Sequence, residues 1–156
     1  MATQYTAGLA TGQVLTAATM NSIGAAWESY TPTFVNITVG NGVLVARYSQ
    51  INKVVTVQMK LTVGSTTIIG AGGGITMSLP VTAASAQYAF SASLIGSGSS
   101  YDTAGFNYMT WPLMVSTTKI GFGYIVGNRY QEIYAVGPFT WKTNDVLTAS
   151  FTYEAA

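Results

Sequence analysis

The sequence contains no cysteine and no histidine, and only 7% of its 156 residues are charged. Without cysteine and histidine the chain has no disulfide, no thiol nucleophile, no thiolate zinc site and no imidazole base. Soluble domains usually carry about 25% charged residues, so the surface of this chain is unusually poor in charge. We therefore expect partners to cover much of that surface, and enzymes that depend on cysteine or histidine are excluded.

Basic residues are scarce as well, since six of them stand against five acidic residues and the net charge is +1. The six are spread out between Arg47 and Lys142. They form no basic patch in the sequence that would neutralise a run of phosphates. We expect no nucleic acid among the partners.

Signals for membrane insertion are also missing. No basic residue precedes Arg47, whereas a secretory signal needs a positively charged region ahead of its apolar stretch. The uncharged stretch from Leu61 to Tyr101 is interrupted too often by Gly, Ser, Thr and Pro to form a membrane helix. We predict a soluble protein that is made and used without membrane insertion, and the lack of cysteine fits a reducing cytosol.

The remaining composition is strongly apolar, with 49% hydrophobic and 12% aromatic residues. Disordered chains combine low hydrophobicity with high net charge, so disorder is excluded. A length of 156 residues suits one domain with one core. We find no repeat of fixed period and no linker that divides the region after residue 30.

From Thr31 onward, apolar and polar residues alternate with period two. The clearest case is Lys53 to Val63, where one face carries Val55, Val57, Met59, Leu61 and Val63. Similar alternation predicts eight strands, at 43–50, 53–63, 75–79, 88–95, 106–115, 120–126, 130–136 and 146–153. Turn residues separate them, including a predicted loop from Gly96 to Ser100. This pattern predicts an all-β antiparallel sandwich over residues 31–156, most consistent with a jelly roll, with other sandwich topologies left open.

Residues 1–30 differ from the rest, because they contain a single charge, Glu28. Met20, Ile23 and Trp27 follow the i, i+3, i+7 spacing of one helix face, and Thr16 is a suitable N-cap. We predict a short amphipathic helix within an N-terminal segment of 30 residues. Either this helix packs on its own domain or it attaches the protein to a partner.

The five acidic residues do not form a recognisable catalytic motif. Glycosidases need two carboxylates that face one cleft, and Asp102 with Glu132 or Asp145 is the only such combination we consider. Their spacing does not require that they meet, and Asp145 follows Asn144 as ordinary turn chemistry. The glycine-rich run Gly70 to Gly74 lacks the Lys-Ser/Thr pair of a phosphate-binding loop, which favours a flexible hairpin loop. We predict no catalytic residue, cofactor or metal site.

Aromatic residues are the best candidates for ligand contacts. Tyr101, Trp111 and Trp141 are candidates for stacking on a saccharide or for a protein interface. Trp111 and Trp141 lie near turn signals, and core packing is the alternative for all three. In a separate motif, Gly121 and Gly123 alternate with apolar residues, which favours either the close approach of another backbone or subunit or a bulge.

Three parts of the sequence contain distinctive motifs. The first is Gly12 to Asn21, similar to a Gly-x-x-Leu-Thr-Ala-Ala-x-x-Asn segment. The second combines Trp27 to Thr33, similar to Trp-x-x-Tyr-Thr-Pro-Thr, with Gly40-Asn41-Gly42 and with Arg47 to Val55, similar to Arg-Tyr-x-x-Ile-Gly-Lys-x-Val. In that last motif Asn52 replaces the usual glycine, and asparagine also tolerates positive φ. The third combines Leu79 to Ala83 with the ending Phe151 to Ala156.

Together these motifs resemble those of small structural proteins of tailed bacteriophage particles. The resemblance implies a non-enzymatic virion protein, usually a homotrimer, docked through its N-terminal segment. Our leading expectation is a capsid decoration or head-fibre protein on the virion surface, made in the host cytoplasm and bound to the major capsid protein. The residues implied as the virion anchor are Val14, Leu15, Met20, Ile23 and Trp27. The alternative is a tail-fibre or baseplate module that contacts tail proteins and recognises a host surface glycan.

Overall fold

Twelve β-strands make up the regular structure of the computed structural model, which describes Gly12, Val14 and residues 26–70, 72–85 and 94–156. Within these residues no helix has the length and apolar character needed to cross a bilayer. The strands are β1 Glu28–Ser29, β2 Phe34–Val35, β3 Ile37–Thr38, β4 Val43–Ile51, β5 Val54–Thr62, β6 Ile68–Ile69, β7 Thr76–Ser78, β8 Gly96–Asp102, β9 Phe106–Ser116, β10 Lys119–Val126, β11 Arg129–Glu132 and β12 Val146–Glu154.

Ten of the strands form one curled antiparallel sheet. Its order is β1-β4-β5-β12-β8-β9-β10-β7-β2, with β11 also paired to β10, while β3 and β6 form a separate pair. The strands β8, β9 and β10 follow one another as hairpins and β12 returns beside β8, which is the order of a Greek key. The predicted all-β antiparallel sandwich is confirmed, and the described strands contain one such Greek key where a jelly roll has two.

The core lies inside the curl and is centred on β5 and β12. The alternation predicted for β5 is confirmed, because Val55, Val57, Met59, Leu61 and Val63 are all buried. On β12 the inward residues face them directly in the antiparallel register, in the pairs Leu147 with Leu61, Ala149 with Met59, Phe151 with Val57 and Tyr153 with Val55. Each large apolar side chain buried in this way contributes about 1.5 to 3 kcal/mol to folding.

Residues 28–35 join the two ends of the curled sheet. At one end β1 pairs with β4, and the Tyr30 amide donates to the Ala46 carbonyl at 3.1 Å. At the other end the Ser78 amide donates to the Thr33 carbonyl at 2.8 Å, and β2 pairs with β7. This crossing closes the sandwich, and it places residues 28–30 of the predicted N-terminal segment within the sheet.

A second crossing, residues 79–84, ties one end of the sandwich together. Its amides donate to the carbonyls of Thr117 and Thr118 in the turn between β9 and β10. Further along, the Ala84 amide donates to the Glu154 carbonyl at 2.8 Å. The Tyr153 hydroxyl donates to the Val81 carbonyl at 2.7 Å and accepts from the Val81 amide at 3.2 Å, and burial raises the pKa of Tyr153. The crossing therefore links the β9–β10 hairpin to the end of β12.

Several predicted strands differ from those observed. The predicted loop at 96–100 was wrong, because these residues belong to β8, which pairs with both β12 and β9. The predicted strand at 130–136 is shorter, since β11 ends at Glu132 and Tyr134 forms only an isolated bridge with Gly137. Of the predicted strand at 88–95, residues 88–93 lie outside the described residues, as does most of the predicted N-terminal helix.

The small residues of β8 explain why it resembled a loop. A Cβ atom on Gly96 or Gly98 would collide with backbone atoms of β12, so the close pairing of these strands requires glycine there. The polar residue Ser100 is buried, but its hydroxyl lies 2.7 Å from the hydroxyl of Thr110 on β9. Glycine and serine thus serve strand packing here, whereas in isolation they signal a turn.

The predicted close approach at Gly121 and Gly123 is made by side chains of the same chain. A Cβ atom on Gly123 would collide with the Tyr130 ring, and one on Gly121 would lie 2.9 Å from Cγ2 of Val115. The β9–β10 register also shifts between Lys119 and Ile120. The two glycines therefore give space to Tyr130 and Val115, and the irregularity expected as one explanation is present beside them.

Replacing Gly98 with alanine should destabilise the fold by about 1 to 3 kcal/mol, the usual cost of forcing extra atoms into a packed site. The physical reason is the collision between the new Cβ atom and the Thr148 carbonyl of β12. Urea unfolding measures the change in the free energy of unfolding. Ser97→Ala is the matched control, because Ser97 is exposed on the same strand and should change stability by less than about 0.5 kcal/mol. Equal stabilities of the two variants would show that β8 tolerates side chains at this position.

Candidate functional site

The residues implied as the virion anchor are described only in part. Val14 is 79% exposed and Trp27 is 42% exposed, whereas Leu15, Met20 and Ile23 lie outside the described residues. Trp27 contacts the sheet, because the Arg47 guanidinium carbon lies 4.6 Å from the centre of its ring. That distance is a cation–π contact, so Trp27 is already engaged with its own domain.

The three aromatic candidates occupy different surroundings. Tyr101 is 41% exposed on β8, opposite Asn107, whereas Trp111 is half-buried on β9, opposite Gly123. Trp141 packs on Phe139, with ring centres 4.6 Å apart, and its indole N–H is buried without a hydrogen-bond partner. Trp141 contacts the core, which favours the core-packing alternative for this residue.

Two of the five carboxylates hold turns. Asp145 is 0% exposed, and its Oδ1 accepts hydrogen bonds from the amide and the hydroxyl of Thr103, both at 2.9 Å. Its Oδ2 accepts from the Lys142 amide at 2.6 Å. Asp102 accepts from the Ala104 amide at 2.8 Å within its own turn. The buried Asp145 therefore joins two loops, which agrees with the turn chemistry expected of it.

The other carboxylates are dispersed over the sheet. Glu28 accepts a hydrogen bond from the Tyr48 hydroxyl at 2.7 Å, and this bond, together with burial, raises the pKa of Tyr48. Glu154 is exposed near the end of β12, and Glu132 lies on β11. In the described parts of the chain, no group of three or more acidic side chains is placed to hold a metal ion.

A groove with a volume of about 480 Å³ lies on the outer face of the sheet. It crosses β4, β5, β12 and β8. We call it the outer groove, and its lining residues are Val45, Arg47, Gln58, Met59, Lys60, Ser97, Gly98, Thr148, Ala149 and Ser150. Long side chains on β4 and β5 form one wall, and the small side chains of β12 and β8 form the floor.

Arg47 is held in place at the wall of the outer groove. Its Nε and Nη2 atoms donate to Oε1 of Gln58 at 3.0 and 2.7 Å, and its guanidinium lies over Trp27. Lys60 stands opposite Val45 on the neighbouring strand. Of the described residues that line the groove, Arg47 and Lys60 are the charged ones, and both are cationic.

A second depression, of about 470 Å³, lies beside β11. We call it the tyrosine hollow, and it is lined by Gly70, Gly73, Gly74, Tyr130, Gln131, Glu132 and Tyr134. Tyr130 covers Gly123, and burial followed by the nearby Glu132 carboxylate raises its pKa. Gly70 has φ +70°, and a Cβ atom there would collide with the backbone of Tyr134. The hollow therefore presents aromatic rings, a carboxylate and an amide together.

Sequence reasoning missed both depressions for the same reason. The floor of the outer groove includes Ser97 and Gly98, which were assigned to a loop. The wall of the tyrosine hollow includes Gly70 and Gly74, which were interpreted as a flexible hairpin loop. In each case the only signal in the sequence was a run of glycine residues beside an alternating pattern. The other residues that line each depression come from strands that are distant in the sequence.

Comparisons with protein-family models, with curated proteins and with solved structures found no match for this chain. The proposals below therefore depend on the chain's own residues and geometry, together with the motifs described above. Those motifs remain a resemblance and support a proposal only.

Replacing Asp145 with alanine should lower the free energy of unfolding by about 3 kcal/mol, because it removes a buried carboxylate that accepts three hydrogen bonds. The donors are the Thr103 amide, the Thr103 hydroxyl and the Lys142 amide. Asp102→Ala is the control, because its carboxylate serves an exposed turn and should contribute less than about 1 kcal/mol. Urea unfolding of both variants tests this, and equal losses would contradict the structural role assigned to Asp145.

Proposed function

We propose that the protein is a non-enzymatic structural component of a bacteriophage virion. In this proposal it is a trimeric capsid decoration or head-fibre protein that docks on the major capsid protein through its N-terminal segment. The observation that carries the proposal is the exposure of large apolar side chains in clusters on a surface with few charges. The three motifs that resemble phage virion proteins add independent support.

Two apolar clusters lie on the outer surface of the sheet. One is at the β4–β5 turn, where the paired residues Ile51 and Val54 are exposed, and the other lies near the end of β10, next to the Tyr124–Thr110 pair, where Ile125 and Met109 are exposed. Contiguous apolar patches on soluble proteins usually mark interaction sites. With only eleven charged residues in the chain, repeated copies that cover these clusters in a closed symmetric oligomer would remove an aggregation hazard.

The N-terminal segment joins the sheet at a defined place. The pairing of β1 with β4 and the Tyr30 bond to Ala46 fix residues 28–30 at one end of the sheet. Val14, within the Gly12 to Asn21 motif, is strongly exposed. An anchor that continues from a fixed strand would transmit particle binding directly to the sandwich, which supports docking through this segment.

Deleting residues 1–25 should abolish binding to capsids while the sandwich stays folded. The deletion ends before β1, because Glu28–Ser29 and Tyr30 belong to the closure of the sheet. The measurement is co-sedimentation with capsids of the encoding phage prepared without this protein, combined with sedimentation equilibrium. We expect the full chain to pellet with capsids and to have three times its chain mass of 16.4 kDa.

The two parts of the proposal fail separately in this experiment. Undiminished capsid binding of the shortened chain would contradict the anchor, and a monomeric full chain would contradict the trimer. Unchanged circular dichroism is the control for folding. Binding of the full chain to isolated tails, without binding to capsids, would favour the second candidate below.

The second candidate is a tail-fibre or baseplate module that recognises a host surface glycan, and the tyrosine hollow favours it. Tyr130 and Tyr134 are exposed there beside Glu132 and Gln131. Aromatic faces stack on the apolar faces of sugars, and carboxylate and amide groups bond to sugar hydroxyls. Trp141, by contrast, packs on Phe139 and on the core.

Under this second candidate, Tyr134→Ala should weaken glycan binding about tenfold, equivalent to roughly 1.4 kcal/mol. The loss would follow from removing one aromatic face from the hollow. A glycan array of bacterial surface oligosaccharides is the measurement, and Glu132→Gln should weaken the same signals without removing an aromatic ring. Phe106→Ala is the control, because it removes an exposed aromatic ring outside the hollow. Equal effects of Tyr134→Ala and Phe106→Ala would contradict a site in the hollow.

A further inference from the structure

We infer that the outer groove binds an acidic saccharide through the carboxylate groups of its sugar units. The inference goes beyond both proposals above, because neither of them assigns a ligand to the outer groove. It also holds for a protein at any location on the particle.

The charge of the groove selects an anion. Arg47 and Lys60 are its charged lining residues, and both carry a positive charge. They lie on adjacent strands in diagonal positions, because Arg47 pairs with Gln58 and Lys60 pairs with Val45. Diagonal neighbours on a sheet face are roughly 7 to 8 Å apart. Two cations at this separation attract either one carboxylate placed between them or two on successive sugar units.

Arg47 is arranged in advance to receive a planar anion. A guanidinium group has five N–H donors, and the bonds to Gln58 use one on Nε and one on Nη2. The Trp27 ring lies against the guanidinium at 4.6 Å. The remaining three donors match the two oxygens of a carboxylate. Because the side chain is already held, binding requires less loss of rotamer freedom than a mobile surface arginine would.

The floor of the groove is suited to a hydroxylated ligand. Ser97 and Ser150 present hydroxyl groups, each of which can donate and accept a hydrogen bond, whereas the Thr148 hydroxyl accepts from the Ser99 amide at 3.0 Å and donates to the Ser99 carbonyl at 3.4 Å. Val45 supplies an apolar contact at the wall for the C–H face of a sugar ring. The volume of about 480 Å³ lies within the range of small-ligand sites, roughly 300 to 1,000 Å³. Hydroxyl groups beside two cations favour an acidic sugar over a purely apolar ligand.

The test is isothermal titration calorimetry of the full chain with a trisaccharide of galacturonic acid. We expect this ligand to bind at least tenfold more tightly than a neutral galactose trisaccharide. Binding should also weaken as salt rises from about 50 to 500 mM, because salt screens exposed charges. Equal affinity for the acidic and neutral trisaccharides, or no binding of either, would overturn the inference.

Substitutions identify the groove as the site. Arg47→Gln should weaken binding at least tenfold, and Arg47→Lys should recover only part of it, because lysine keeps the charge but loses the planar fork. Lys60→Gln should weaken binding several-fold. Lys119→Gln is the matched control, since it removes a cation from β10, outside the groove. Equal losses with Lys119→Gln and Arg47→Gln would show nonspecific attraction and overturn the site.

Other anions and partners give distinct results. A phosphorylated trisaccharide that binds while the galacturonate does not would overturn the carboxylate assignment. Tighter binding of an oligoglutamate peptide than of the galacturonate would overturn it in favour of an acidic protein segment. Each variant is checked for an unchanged thermal midpoint. Capsid co-sedimentation of Lys60→Gln, which alters the groove at a residue apart from the implied anchor residue Trp27, should match that of the unaltered chain, so a failure of this inference is distinguishable from a failure of the proposed function.

Discussion

The pairing of β5 with β12 is the interaction on which the rest of the structure depends. It joins nine residue pairs, from Val54 with Glu154 to Thr62 with Val146, across more than half of the chain. The inward residues of both strands form the centre of the core, and each strand has a further hairpin strand on its other side, β4 beside β5 and β8 beside β12. Without this long-range pair, the N-terminal hairpin and the Greek key would be separate sheets, each with an open apolar face.

A core with so few ionic groups is completed by neutral hydrogen bonds and one buried carboxylate. Asp145 joins two loops at the start of β12, and near its other end Tyr153 bonds to the backbone of Val81. Burial raises the pKa of both Tyr153 and Tyr30, which lie inside the sandwich. These contacts hold the crossings in place and leave charged groups free for the outer surface. The polar groups that stabilise the fold, Asp145 and Tyr153, are therefore different from Arg47 and Lys60, which we propose to bind a ligand.

The outer groove follows from the same strand packing. Because β8 must approach β12 closely, it carries glycine at Gly96 and Gly98, and its outward residues are small. The neighbouring strands β4 and β5 carry the longer side chains of Arg47, Gln58 and Lys60. This difference in side-chain length leaves a depression on the outer face, and two cations line it. A feature required for folding thus creates the surface for which we propose a saccharide ligand.

The sequence by itself determined the fold class and the orientation of the central strands. Alternation along Val55 to Val63 is a local property, so it predicts which face is buried without knowledge of the partner strand. It also correctly identified Asp145 as a turn residue. The position of β8, the outer groove and the tyrosine hollow were decided only by the tertiary structure. Glycine and serine have the same local preferences in a loop and in a tightly paired strand, and only contact with β12 distinguishes the two. Likewise, Arg47 and Ser150 are about 100 residues apart in the chain, and the β5–β12 pairing is what brings them to one groove.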